Sequence, residues 1–149
     1  MITVIIYGLD QFVVGRLSRE LTPNLAKLYE LKEEEIIFVA PQNMVFHNGV
    51  EQTSWNILIH VHAPKMSVMV QDEVAQFLTE AIGEIAIHKT IEFYYYDKED
   101  RYQVLNNDYP RFISEENLVD VEQEYDEEME EGEEDDQVYT GDIFKGVLK

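Results

Sequence analysis

The sequence contains no cysteine, which excludes disulfides, zinc–thiolate sites, iron–sulfur clusters and a thiol nucleophile together. Basic residues are scarce: 11 Lys and Arg stand against 31 Asp and Glu, a formal net charge of −20. That balance repels phosphate backbones and anionic lipid, so neither nucleic acid nor membrane is expected as a partner. Long apolar runs are also missing. The N-terminal run Ile2-Thr3-Val4-Ile5-Ile6-Tyr7 lacks a basic leader and stops at Gly8, too short for a signal peptide or a membrane span. The expected location is the cytoplasm.

Core-forming material is plentiful. Apolar residues make up 45% of the 149 and aromatics 11%, which rules out disorder of the whole chain. The negative charge is unevenly spread. Residues 120–136 hold 12 acidic residues and no basic one, whereas residues 1–113 hold 16 acidic and 9 basic. Such a block repels itself into a solvated state and builds no core. Asn106-Asn107-Asp108-Tyr109-Pro110 is rich in turn formers and marks a boundary. The expected organisation is a domain over 1–106 and a mostly flexible acidic tail over 107–149. The nearly neutral, apolar stretch 138–148 at its end is a candidate anchor.

Within the domain, β-branched residues at 2–7 predict a strand buried on both sides. Val14, Leu17, Leu21, Leu25 and Leu28 form one helical stripe that continues through Pro23, which predicts a single kinked helix with Asp10 as a candidate N-cap. Residues 36–40 predict a second strand. Residues 41–52 are irregular, with a short hairpin near Phe46 and a turn at Asn48-Gly49. A third strand is predicted over 55–62, ended by Pro64. A second helix follows, carrying Val70, Val74, Phe77, Leu78, Ala81, Ile82 and Ile85, then a fourth strand over 89–96. Residues 101–105 are expected to pair briefly with a neighbour.

The order is a tandem β-α-β repeat, with 33 residues from Val4 to Ile37 and 34 from Ile59 to Phe93. Each unit should be a right-handed crossover with a parallel strand pair. The fold class is therefore α/β (α+β): a four-stranded sheet with two helices on one face. The other face, with Ile5, Tyr7 and Leu58, is apolar and bare, and a second copy of the chain is its economical partner.

Two β-α-β units of this length, beginning at residue 2, resemble the tautomerase superfamily that includes macrophage migration inhibitory factor and oxalocrotonate tautomerase. More narrowly, the strand at 2–7, Gln42 with Phe46 and Gly49, and the helix with Gln71, Val74, Ala75 and Ile82 resemble a functionally uncharacterised family of bacterial tautomerase-like proteins. The resemblance covers roughly residues 1–105. It implies a homotrimer, and a pocket at the N-terminus for which Met1, Ile2, Gln42, Phe46 and His47 are the candidate residues. It also implies chemistry by a proline directly after the initiator Met, whose amine serves as general base. This sequence has Ile2 there, and a large second residue disfavours removal of Met1. No catalytic residue is identified. The expected function is an oligomeric tautomerase-like module without proline-dependent catalysis, acting through a small-molecule or protein partner. The alternative is an enol–keto tautomerase with another base in the same pocket.

Other chemistry has little support. His60 and His62 point to one face of a strand and are weak metal candidates, without a third ligand at matching spacing. The plainer reading sets them at a sheet end or subunit interface. His47 is an acid–base candidate or an exposed loop histidine. Tyr94-Tyr95-Tyr96 reads as an ordinary aromatic strand. No nucleophile elbow, phosphate-binding loop, dinucleotide fingerprint or calcium loop occurs, so no cofactor is expected.

Overall fold

The computed structural model describes residues 1–115. Its first unit, Met1–Gln103, holds six strands and two helices in the order β1 (Ile2–Tyr7), α1 (Gln11–Tyr29), β2 (Ile36–Val39), β3 (Phe46–His47), β4 (Val50–Glu51), β5 (Asn56–Pro64), α2 (Gln71–Ile82) and β6 (His88–Tyr96). The main sheet has the order β2-β1-β5-β6. β1 runs parallel to β2 and β5 parallel to β6, so each β-α-β unit pairs its own strands, and β1 joins the units antiparallel to β5.

Periodicity accounts for the packing. Alternate residues of a strand face opposite sides, and Ile2, Val4, Ile6, Ile57, Ile59 and Val61 all turn toward the helices and are fully buried or nearly so. Leu17 and Leu25 of α1 meet them, with Val74, Leu78 and Ile82 of α2. Burying each such side chain contributes about 1.5–3 kcal/mol. The α1 stripe continues through Pro23 as one helix. The Asp10 carboxylate accepts from the Phe12 N–H at 2.8 Å and caps its start. The left-handed Glu30 closes its end, and the Leu31 N–H donates to Ala26 O at 2.9 Å.

Among the described glycines, Gly8 is the one whose place admits no side chain. Its φ is +91°, and a Cβ there would lie 2.9 Å from the Asn56 backbone oxygen. The β3–β4 hairpin turns on Asn48 and Gly49, both at positive φ, the conformation that a two-residue loop needs to match strand twist.

The main differences from the sequence reading are local; β2 and β6 shift by one residue each, to Ile36–Val39 and His88–Tyr96. β5 starts at Asn56 and includes Pro64 as its last residue, which leaves Trp55 outside the sheet and exposed. α2 ends at Ile82, because Gly83 at φ +49° breaks the helix before Ile85. Residues 65–70 form a 3-10 turn, so Val70 lies ahead of α2. The pairing expected over 101–105 does not form; Arg101 turns back toward the N-terminus instead.

The second unit begins at Val104. In its described part, 104–115, the Asp108 N–H donates to the Asn106 side chain at 3.0 Å, and the Tyr109 N–H to the Asn106 backbone oxygen at 3.2 Å. This is the turn that the local composition predicts. The acidic run 120–136 and the candidate anchor 138–148 lie outside the described residues. Among the described residues no helix is long and apolar enough to cross a membrane.

Candidate functional site

Register brings the N-terminus to the C-terminal edge of the repeat. Thr3 lies opposite His62, and Pro64 opposite Tyr96. Continued by two residues, the β1–β5 ladder sets Met1 across from Pro64, with Tyr96 on the far side. The Tyr96 hydroxyl donates to the Met1 carbonyl oxygen at 2.6 Å. It accepts in turn from the Arg101 guanidinium at 3.0 Å and from the N-terminal ammonium at 3.4 Å. Arg101 also reaches the Met1 carbonyl at 3.4 Å, contacts the Met1 thioether, and lies over the Tyr96 ring at 5.3 Å. Two cationic groups thus converge on one phenol oxygen, and the main chain at Met1 is fixed by side chains from residues 96 and 101.

Met1 borders a cleft of about 510 Å³ with Leu28, Tyr29, Leu31, Pro64, Met66 and Met69, opened by the 3-10 turn 65–70. Its wall is mostly apolar. Burial pushes the Tyr29 hydroxyl well above the usual tyrosine range, with the neighbouring Tyr95 adding to the shift, so Tyr29 stays a neutral phenol. On the other side of Tyr96, a hollow of about 370 Å³ is lined by Thr3, Ile5, His62, Tyr96, Asp100 and Arg101.

The candidate residues separate into two groups. Met1 lies at the cleft, while Ile2 is wholly buried under the helices. Gln42, Phe46 and His47 lie at the opposite end of β1, because β2 runs parallel to it and leaves the sheet beside Gly8. The six residues of β1 span about 20 Å. The Gln42 amide donates to Gln11 at 3.3 Å beside a hollow of about 380 Å³. Phe46 and His47 are exposed on the hairpin, and the His47 ring lies 3.4 Å from the Asn48 amide. One copy of the chain does not bring the two groups together.

The sheet face away from the helices carries Ile5, Tyr7, Leu58, His60, His62, Glu92 and Tyr94. It is more polar than the apolar surface expected from β1 alone, because β5 and β6 alternate hydrophobic residues with His, Glu and Tyr. His60 packs edge-on against Tyr7 with centroids 5.0 Å apart, and His62 stacks on Tyr94 at 5.0 Å and 16°. The Tyr94 hydroxyl donates to Glu92 at 2.6 Å, and His60 Nε2 is 3.5 Å from the same carboxylate oxygen. The Glu92 bond, then burial, raises the Tyr94 pKa. Among the described residues no group of three or more His, Asp and Glu is disposed to hold a metal ion.

Tyr96 and Arg101 are the residues that sequence reasoning passed over. The signal lay in the register: with β1 antiparallel to β5 and β5 parallel to β6, the start of β1 and the end of β6 fall at one edge of the sheet.

Residues 1–107 match the family model described as "Domain of unknown function (DUF1904)", so the chain belongs to that family. Solved structures with a similar fold include a DUF1904 domain from Sebaldella termitidis ATCC 33386 (TM-score 0.63, 20% identity, covering 69% of this chain and 95% of that one). Another is a protein of unknown function from Vibrio cholerae O1 (TM-score 0.58, 17% identity, 68% and 83%). A third is a macrophage migration inhibitory factor-like protein from Entamoeba histolytica (TM-score 0.52, 8% identity, 68% and 93%). At these identities the likeness shows the fold, which is tautomerase-like. No curated protein matches the chain.

Proposed function

We propose that this member of the DUF1904 family is a homotrimeric, cytoplasmic tautomerase-like module that works without proline-dependent catalysis. The observation that carries the assembly is the uncovered sheet face. Two helices cover one side, and Ile5, Tyr7 and Leu58 remain only half-buried on the other, with Val39 exposed at its edge. A second copy removes that surface from water at about 25 cal/mol per Å² of apolar area. Association through the sheet face also offers a way to unite the two groups of candidate residues, Met1 from one copy with Gln42, Phe46 and His47 from another.

The absence of proline-type chemistry rests on two residues. Ile2 is a core side chain, and the Met1 main chain is occupied by Tyr96 and Arg101. One feature favours the alternative of an enol–keto enzyme with a different base: the N-terminal ammonium lies beside the Tyr96 hydroxyl at the edge of the cleft. An assay of enol–keto conversion on a phenylpyruvate-type substrate, with N-terminal sequencing beside it, separates the two. The module reading expects a retained Met1 and no turnover above buffer. Turnover abolished by acetylation of the N-terminal amine establishes the enzyme instead.

A further inference from the structure

We infer that the His60–His62–Glu92–Tyr94 cluster makes association through the open sheet face proton-dependent, firm at neutral pH and weakened as the pH falls through the histidine range. This rests on the reading of that face as the contact between copies.

The geometry is a ladder of rings. His60 and His62 are two apart on β5, so their side chains stand on one face about 7 Å apart. Tyr94 of β6 lies against both, with centroids 5.1 Å from His60 and 5.0 Å from His62. The neighbouring part of β1 presents Thr3, Ile5 and Tyr7, with no charge among them. β6 presents Glu92, Tyr94 and Tyr96, and the segment after it presents Asp100 and Arg101 in the hollow shared with His62. The N-terminal ammonium lies beyond Tyr96.

Charge balance decides the direction. Glu92 is the carboxylate near His60, and its Oε2 already accepts the Tyr94 hydroxyl. Asp100 shares its hollow with Arg101. Protonating both histidines therefore adds two like charges against one partly engaged carboxylate. Covering the face removes the water that screens them. His62 is already held below the usual histidine value of 6.5, by burial first and by His60 second. A group whose pKa is lowered in the covered state binds more protons in the separated state. Its contribution is complete above the separated-state value, which for His62 already lies below 6.5, and is lost as the pH falls through it.

The test is sedimentation equilibrium of the full chain at about pH 7.5 and about pH 5, above and well below the usual histidine value. The association constant is expected to fall at least about tenfold in acid, and to lose that dependence in the H60Q/H62Q double variant. Equal association of the wild type at both pH values overturns the switch and leaves the assembly standing. A monomer at about pH 7.5 overturns the assembly and the switch with it. The H88Q variant, which leaves the cluster intact, supplies the readout if the double variant fails to fold. It must keep the acid effect, and losing it assigns the effect elsewhere and overturns the inference.

Discussion

Tyr96 holds the carbonyl of Met1 at 2.6 Å across 95 residues of sequence, and so joins the last strand of the sheet to the first residue of the chain. The bond matters because β1 is central in the sheet and its first residue would otherwise fray. Removing the hydroxyl in Tyr96→Phe is expected to cost about 0.5–1.5 kcal/mol, read as a lowered urea midpoint at unchanged slope. Arg101→Gln should cost a similar amount. The combined variant should cost less than the two together, because both groups act on Met1.

The connection after β1 depends on Gly8. Gly8→Ala forces a Cβ to within 2.9 Å of the Asn56 oxygen while the backbone stays at φ +91°. The expected loss is about 1–3 kcal/mol for the conformation alone, with the clash added. Gly15, in α1, has nothing near its Cβ position, and Gly15→Ala should stabilise by about 0.5–1 kcal/mol. Thermal unfolding of the pair gives opposite signs if the structure is right.

Charges placed on the two sides of the sheet should act differently. Ile59→Asp puts a carboxylate in the fully buried layer and should unfold the chain, since an unpaired buried charge costs several kcal/mol. Leu58→Asp and Ile5→Asp lie on the half-buried face and should leave a folded, smaller species. Circular dichroism with gel filtration distinguishes the two outcomes. A normally sized Leu58→Asp oligomer removes that face from the interface.

Replacing Ile2 with proline should not create a tautomerase. The side chain is completely buried and the residue pairs with Ile36 in the parallel ladder. Loss of packing at such a site costs about 2–5 kcal/mol. The expected result is a lower melting temperature and no turnover on a phenylpyruvate-type substrate.

Much of the fold was legible because its signals are local. The α1 stripe predicted one helix through Pro23, and the β-branched runs predicted β1, β2, β5 and β6 to within two residues. What stayed hidden depended on pairing between distant segments. The antiparallel union of β1 with β5 leaves no mark on either strand, yet it brings Met1 to Tyr96 and separates both from Gln42 and His47. The polarity of the open face was half legible: Ile5 and Leu58 pointed to an apolar surface. The contribution of Glu92 and Tyr94 to it required the β5–β6 register.

The central claim is that the uncovered sheet face is filled by other copies of the chain. Sedimentation equilibrium of the full-length protein at low micromolar concentration and neutral pH tests it most directly. The account predicts a mass of about three times 17.5 kDa. A stable, folded species of 17.5 kDa contradicts it, because the face bearing Ile5, Tyr7 and Leu58 would then stand in water with no partner.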